Sequence, residues 1–332
     1  MFMIKSIFNL FSIRKIQIIV FISTIILASV YFKGSINHLV DYGMKINWLR
    51  FNFKMQYLVL AILLMPVNWL CEYGKFVLLA DFKHNYKPTI LIKSILAGIS
   101  LSSFTPMKTG DYIGRLLWLE RVDWAITLKA IFWGNWMQFL WLVLGGFVGL
   151  FFIRDHIGFS EIVLGWGFLY LICCVIIVLI ILWFYIRLEL FQNLLSRIPK
   201  WSKFVGMLND FAGFENKQKV YKSLVLAGFR YIVYSFQLWL LIKFLDVDVN
   251  PILLYFGILL VFFVQTLLPF LTWLGLIGRT GIAIFVLNRI GVGEIESGIS
   301  SVLLWIINIM VPATIGFVLL LMRFLKNEKD EK

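Results

Sequence analysis

Apolar positions in this chain run in long blocks with few polar interruptions, not at the spacing of one buried residue in every three or four that marks a soluble amphipathic helix. A helix needs about 20 apolar residues to cross a bilayer, and blocks of about that length or more fall at 16–32, 57–80, 129–153, 162–186, 222–244 and 297–324. Two more blocks, 90–104 and 251–268, are short, and each ends at a proline turn, Pro106 or Pro269. Each is followed by a second short apolar stretch, and the later one is interrupted by Gly275, Gly278 and Gly281. The pattern predicts an all-α polytopic membrane protein with six to eight transmembrane spans. Segments 90–121 and 252–290 are read as re-entrant hairpins or, alternatively, full spans. The first block follows Lys5, Arg14 and Lys15, and no small-x-small pair stands near Ala28. It therefore reads as an uncleaved span rather than a signal peptide. Pro312 is expected to kink the last span.

Composition agrees with the pattern. Of 332 residues, 61% are hydrophobic and 15% charged, against about 45–50% and about 25% in a soluble domain. Neither a soluble fold nor a disordered chain fits. The net charge of +13 is spread between apolar blocks, which argues against a nucleic-acid partner and for the lipid bilayer itself. A single integral membrane domain is expected over 1–332. Lys and Arg are concentrated at the N-terminus, at 187–221 and at the C-terminus (Arg323, Lys326, Lys329, Lys332). By the positive-inside rule these face the cytoplasm, in the cell membrane. Lys33, Lys45, Arg50 and Lys54 run against that assignment. Within 187–221, Leu190, Leu194, Ile198, Trp201, Val205 and Leu208 recur at helical spacing among basic residues, as in a helix lying in the membrane interface.

The two proline-stopped segments resemble each other. One reads Ser103-Phe-Thr-Pro106, then Gly110-Asp111 and Ile113-Gly114-Arg115; the other reads Thr266-Leu-Leu-Pro269, then Ile277-Gly278-Arg279. If both are hairpins, halves 1–153 and 162–325 each contain three full crossings, and an odd number turns the second half upside down. Paired broken helices in matching positions are the sequence mark of an inverted-repeat transporter site.

Irregular backbone at membrane depth is tolerated where it lines a protein or water-filled cavity. A helix starting there directs free N–H groups and partial positive charge toward an anion. Gly110 and Asp111 are expected to open one such helix, with Lys108 in the break. Arg115 and Arg279 follow and can fork two hydrogen bonds onto a phosphate. Asp111 and Arg115, four residues apart, can also neutralise each other. The lipid-headgroup candidates are therefore Lys108, Gly110, Asp111, Arg115 and Arg279. Intramembrane ionisable residues are further candidates. These are Glu72 and Lys75, read as an internal pair, and Arg230, which has no obvious local partner. Asn308 is expected to bond or pack across helices, and Asn68 is costly in lipid. Trp118, Trp124, Trp133, Trp136 and Trp141 mark interfaces or packing.

No metal or cofactor is expected. Cys71, Cys173, Cys174, His38, His84 and His156 do not form a ligand set. Asn209-Asp210 lacks a second acid, and Asp246 and Asp248 sit in a very short loop. No nucleophile motif, phosphate loop or HExxH stands in the sequence, so the reading is transporter-like rather than catalytic.

The first break, 101–115, followed by Leu119-Glu-Arg-Val, resembles the TPGxxGExxR…LxR region of the flippase-like integral membrane proteins, the lysylphosphatidylglycerol synthase transmembrane-region family. Pro269 through Gly278, with Leu287-Asn-Arg-Ile-Gly-Val, is similar to that family's P…GGxGxxE…LGV region, and 301–312 looks like its final span. The resemblance covers nearly the whole chain. Asp111 stands where the family usually has Glu, Met107 and Lys108 replace a glycine-rich turn, Trp273 and Leu274 replace paired glycines, and Thr280 replaces Glu. With the last apolar block closing just before Lys332, the synthases' soluble aminoacyl-transfer domain is not expected here. The resemblance implies a protein that binds and moves an anionic lipid, a phospholipid or a polyprenyl-phosphate-linked one, without aminoacylating it. Two alternatives are an accessory membrane subunit supplying lipid to a separate glycosyl- or aminoacyl-transferase, membrane-bound or cytoplasmic, and an integral lipid-linked transferase.

Overall fold

A computed structural model of the chain describes residues 52–80, 82, 85–103, 105, 109–120, 123–156, 216–268 and 276–329. The expected spans at 16–32 and 162–186, the interfacial stretch up to 215, Lys108 and both proline turns lie outside the described residues. Among those described, the regular structure is helical: α1 Met55–Leu79, α2 Pro88–Ser102, α3 Thr109–Leu116, α4 Trp124–Ile153, α5 Lys217–Phe244, α6 Pro251–Leu267, α7 Leu276–Asn288, α8 Glu294–Trp305 and α9 Val311–Lys329. Helices α1, α4, α5 and the continuous 294–325 stretch are long and apolar enough to cross a membrane. At about 1.5 Å per residue, α2 reaches only about 22 Å and α6 about 25 Å, short of a hydrocarbon core of about 30 Å.

Alongside an apolar core, the helices bury polar side chains and leave large apolar ones exposed, as a bundle surrounded by lipid does. Asn68, Glu72 and Lys75 are buried on α1, whereas Leu60, Leu63 and Leu70 are exposed. Exposed Phe229, Ile232 and Phe236 mark a corresponding apolar face on α5. The apolar core is centred where α5, α6 and α7 meet, around Leu238, Leu241, Leu254, Ile258, Val286 and Leu287.

Side-chain contacts fix the helix directions. Helices α1 and α5 run antiparallel: Lys54 N–H donates to Phe244 O at 2.9 Å, Gln237 donates to Ala61 O at 2.9 Å, and Gly74 faces Leu226. Gln237 thereby supports α1 one residue before Ile62, whose carbonyl has no N–H partner at Pro66. Helix α4 runs parallel to α5, with Trp141 Nε1 donating to Leu224 O at 2.9 Å and Gly145 against Tyr231. The bundle therefore has a Lys54 end and a Tyr86 end.

Helices α2 and α3 form an antiparallel pair at the Tyr86 end. Glycine makes the close approach possible: a Cβ on Gly114 would strike the Ala97 carbonyl, and one on Gly110 would strike Leu101. Helices α6 and α7 pair in the same way from the Lys54 end, with Gln265 donating to Arg279 O at 3.1 Å and Gly257 against Ile290. The two short-helix hairpins thus open toward opposite ends of the bundle.

The last span differs from a simple proline kink. Residues Ile306–Met310 form a π-helical turn, closed by the Val311 N–H on Ile306 O. Pro312 has no N–H for the regular ladder, and a widened turn just before it accommodates that loss. The turn carries Asn308 into the interior.

Candidate functional site

On α1, spacings of four and three residues place Asn68, Glu72 and Lys75 on one face. Glu72 is the hub. Its Oε2 accepts from Lys75 Nζ at 2.9 Å and Arg230 Nη1 at 2.6 Å, and its Oε1 accepts from Arg115 Nη2 at 2.8 Å. Lys75 is 1% exposed and Glu72 9%. Lys75 also donates to Gly134 O at 3.2 Å, tying α4 to the hub. Arg230 Nε donates to Asn68 Oδ1 at 2.8 Å, and Asn68 Nδ2 donates to Asn308 Oδ1 at 2.8 Å. One polar network therefore joins α1, α3, α4, α5 and the π-turn.

Arg115 is 3% exposed. Its Nε and Nη2 meet the two Asp111 oxygens at 2.8 and 3.1 Å. Its guanidinium also lies 4.8 Å from the Phe76 ring centroid. Gly98 on α2 leaves the room for this pair, since a Cβ there would strike Asp111 Oδ1 and sit 3.0 Å from Arg115 Cγ. The fork that sequence reasoning directs at a phosphate is occupied by Asp111. The Gly110 N–H is occupied as well: it donates to Thr105 Oγ1 at 2.7 Å, so the start of α3 is capped from within.

Arg230 differs from its neighbours, with a side chain 29% exposed. One turn along α5, Tyr234 lies within electrostatic reach of the Arg279 side chain. Tyr234 thus relates the arginine of the second hairpin to the α5 face that carries Arg230. Glu72, Lys75, Asp111, Arg115, Arg230 and Asn308 belong to the network, Arg279 lies beside it through Tyr234, and Lys108 is outside the described residues. Sequence reasoning did not single out Tyr234 as a functional residue, and nothing in its local pattern distinguishes it.

Charge decides what this arrangement can do. Two carboxylates, Glu72 and Asp111, face three cations, Lys75, Arg115 and Arg230. Among the described residues the surplus is one positive charge, and Arg279 adds another at the margin. An unbalanced cation in a low-dielectric interior attracts an anion.

Antiparallel long helices, two short-helix hairpins opening to opposite ends and a buried ionic network define a polytopic helical membrane protein. A family model described as the lysylphosphatidylglycerol synthase TM region matches residues 45–316. The chain belongs to that family, which relates it to membrane lipid handling. No curated protein and no solved structure matches it.

Proposed function

We propose that this protein translocates an anionic lipid, a phospholipid or a polyprenyl-phosphate-linked one, across the cell membrane. The single observation behind this reading is the surplus cation of the Glu72 network, carried on the partly exposed Arg230. A phosphodiester headgroup has one negative charge and two acceptor oxygens, which suits the Arg230 fork. In this reading the headgroup enters between inverted halves 1–153 and 162–325, is received by Arg230 and Arg279, and exchanges with Glu72 for its cations. Arg115 and Asp111 hold the first hairpin to α1, with Lys108 and Gly110 at its turn. The acyl or prenyl chains stay against the apolar outer faces. The termini and the Tyr86 end face the cytoplasm, following the distribution of Lys and Arg.

The test is reconstitution of the purified protein alone. Vesicles carrying fluorescent phosphatidylglycerol or phosphatidylcholine in one leaflet are followed for appearance of label in the other. Faster movement of the anionic lipid is expected. No movement above protein-free vesicles would contradict the proposal and favour the accessory role.

A further inference from the structure

A second group of cations lies apart from the Glu72 network, at the Tyr86 end. Trp118, in the turn after α3, has Lys93 Nζ 5.6 Å and Arg323 Cζ 4.7 Å from its ring centroid. Lys93 comes from α2 and Arg323 from α9, so three elements meet at one indole. The electrostatic partner of Arg323 is Glu120, an exposed side chain. No ion pair to Lys93 or Arg323 is found among the described residues. The indole Nε1 is buried and has no hydrogen-bond acceptor. Two like charges thus converge on one indole, and Glu120 near Arg323 and the cation–π contacts offset part of the repulsion.

The surroundings say what kind of anion fits. Ile92 beside Lys93, and Met322 and Leu325 flanking Arg323, are exposed apolar side chains. The cations therefore sit at the rim of the apolar surface, where headgroups border acyl chains. We infer that Lys93 and Arg323, gathered at the Trp118 indole, form an interfacial site for the phosphate of an anionic phospholipid, separate from the Glu72 network and independent of the translocation reading. The phosphate spans the two cations, while the acyl chains lie along Ile92, Met322 and Leu325. A bound lipid there would also fasten α9 to the exit of the first hairpin.

Native mass spectrometry of the full-length protein in detergent, titrated with phosphatidylglycerol, phosphatidylcholine or inorganic phosphate, tests the site. Phosphatidylglycerol is expected to bind in preference to phosphatidylcholine, undisturbed by millimolar inorganic phosphate. Lys93→Gln is expected to weaken binding about fivefold, and Lys93→Gln with Arg323→Gln about thirtyfold. Lys93→Arg with Arg323→Lys should retain it. The same losses in an Arg230→Gln background would separate the site from the central network. Unchanged phosphatidylglycerol affinity in Lys93→Gln, which leaves α9 intact, would overturn the assignment. Displacement by inorganic phosphate would overturn its lipid part.

Discussion

Arg230 Nη1 lies 2.6 Å from Glu72 Oε2, although 158 residues separate the two in sequence. This contact joins α5 to α1 at a carboxylate that Lys75 and Arg115 also share. Glu72 therefore compensates three cations within an interior that offers them few other acceptors.

Replacing Glu72 by Gln should be among the most damaging single changes in the described bundle. It removes a charge and, among the described residues, leaves buried Lys75 without an ion pair and Arg115 with Asp111 alone. Breaking a buried ion pair from one side costs about 3–5 kcal/mol. Denaturant or thermal unfolding in detergent should show a loss of that order, with Glu72→Asp losing less. Stability equal to wild type in Glu72→Gln would mean that the network contributes nothing net.

Two glycines separate packing from helix propensity. Gly98→Ala pushes a methyl into the Asp111–Arg115 pair and should cost about 1–3 kcal/mol by overpacking. A Cβ on Gly281 meets nothing within 4 Å, so Gly281→Ala should be neutral or should stabilise α7 by up to about 1 kcal/mol. The comparison is read from the two melting temperatures, and a Gly98→Ala protein as stable as Gly281→Ala would contradict the close hairpin packing.

At the Tyr86 end, the Tyr86 hydroxyl donates to Asp123 Oδ2 and accepts from the Glu120 N–H, both at 2.8 Å. Burial, with the Asp123 charge and hydrogen bond adding to it, pushes this hydroxyl up to about 12 from 10.0, against the Glu120 N–H, which favours the ionised form. The folded state therefore holds the proton more tightly than the unfolded one. The contribution is complete below pH about 10 and is lost as pH rises to about 12. Wild type should lose stability more steeply than Tyr86→Phe across that window, and parallel curves would refute the assignment. At neutral pH, Tyr86→Phe should cost about 1 kcal/mol for each hydrogen bond lost.

Local chemistry made part of this architecture legible. Short length and terminal prolines disclosed both hairpins, because a helix that cannot span must turn back or end. The three-residue spacing of Glu72 and Lys75 disclosed their pairing, and the four-residue spacing of Asp111 and Arg115 disclosed theirs. What joins these pairs was not legible. Asn68 meets Asn308 across 240 residues, and Glu72 meets Arg115 across 43, distances set by tertiary packing rather than by periodicity. The signal that could have linked them is cost: each is a polar side chain inside an apolar block and needs a partner there. Arg230 found its partner in this way. The internal Thr105 cap was harder to anticipate, because a free helix start looks the same in sequence whether it faces a ligand or a neighbour.

The central claim is that the headgroup engages the surplus cation rather than the saturated one. The direct measurement is translocation of fluorescent phosphatidylglycerol in proteoliposomes by Arg230→Gln and Arg279→Gln, singly and together, alongside the melting temperature of each protein. Arg230→Gln leaves Lys75 and Arg115 on Glu72, so the fold should persist while translocation falls at least about tenfold, the equivalent of about 1.4 kcal/mol. Arg115→Gln, by contrast, should lower stability first. Wild-type translocation by a well-folded protein lacking both Arg230 and Arg279 would contradict the account.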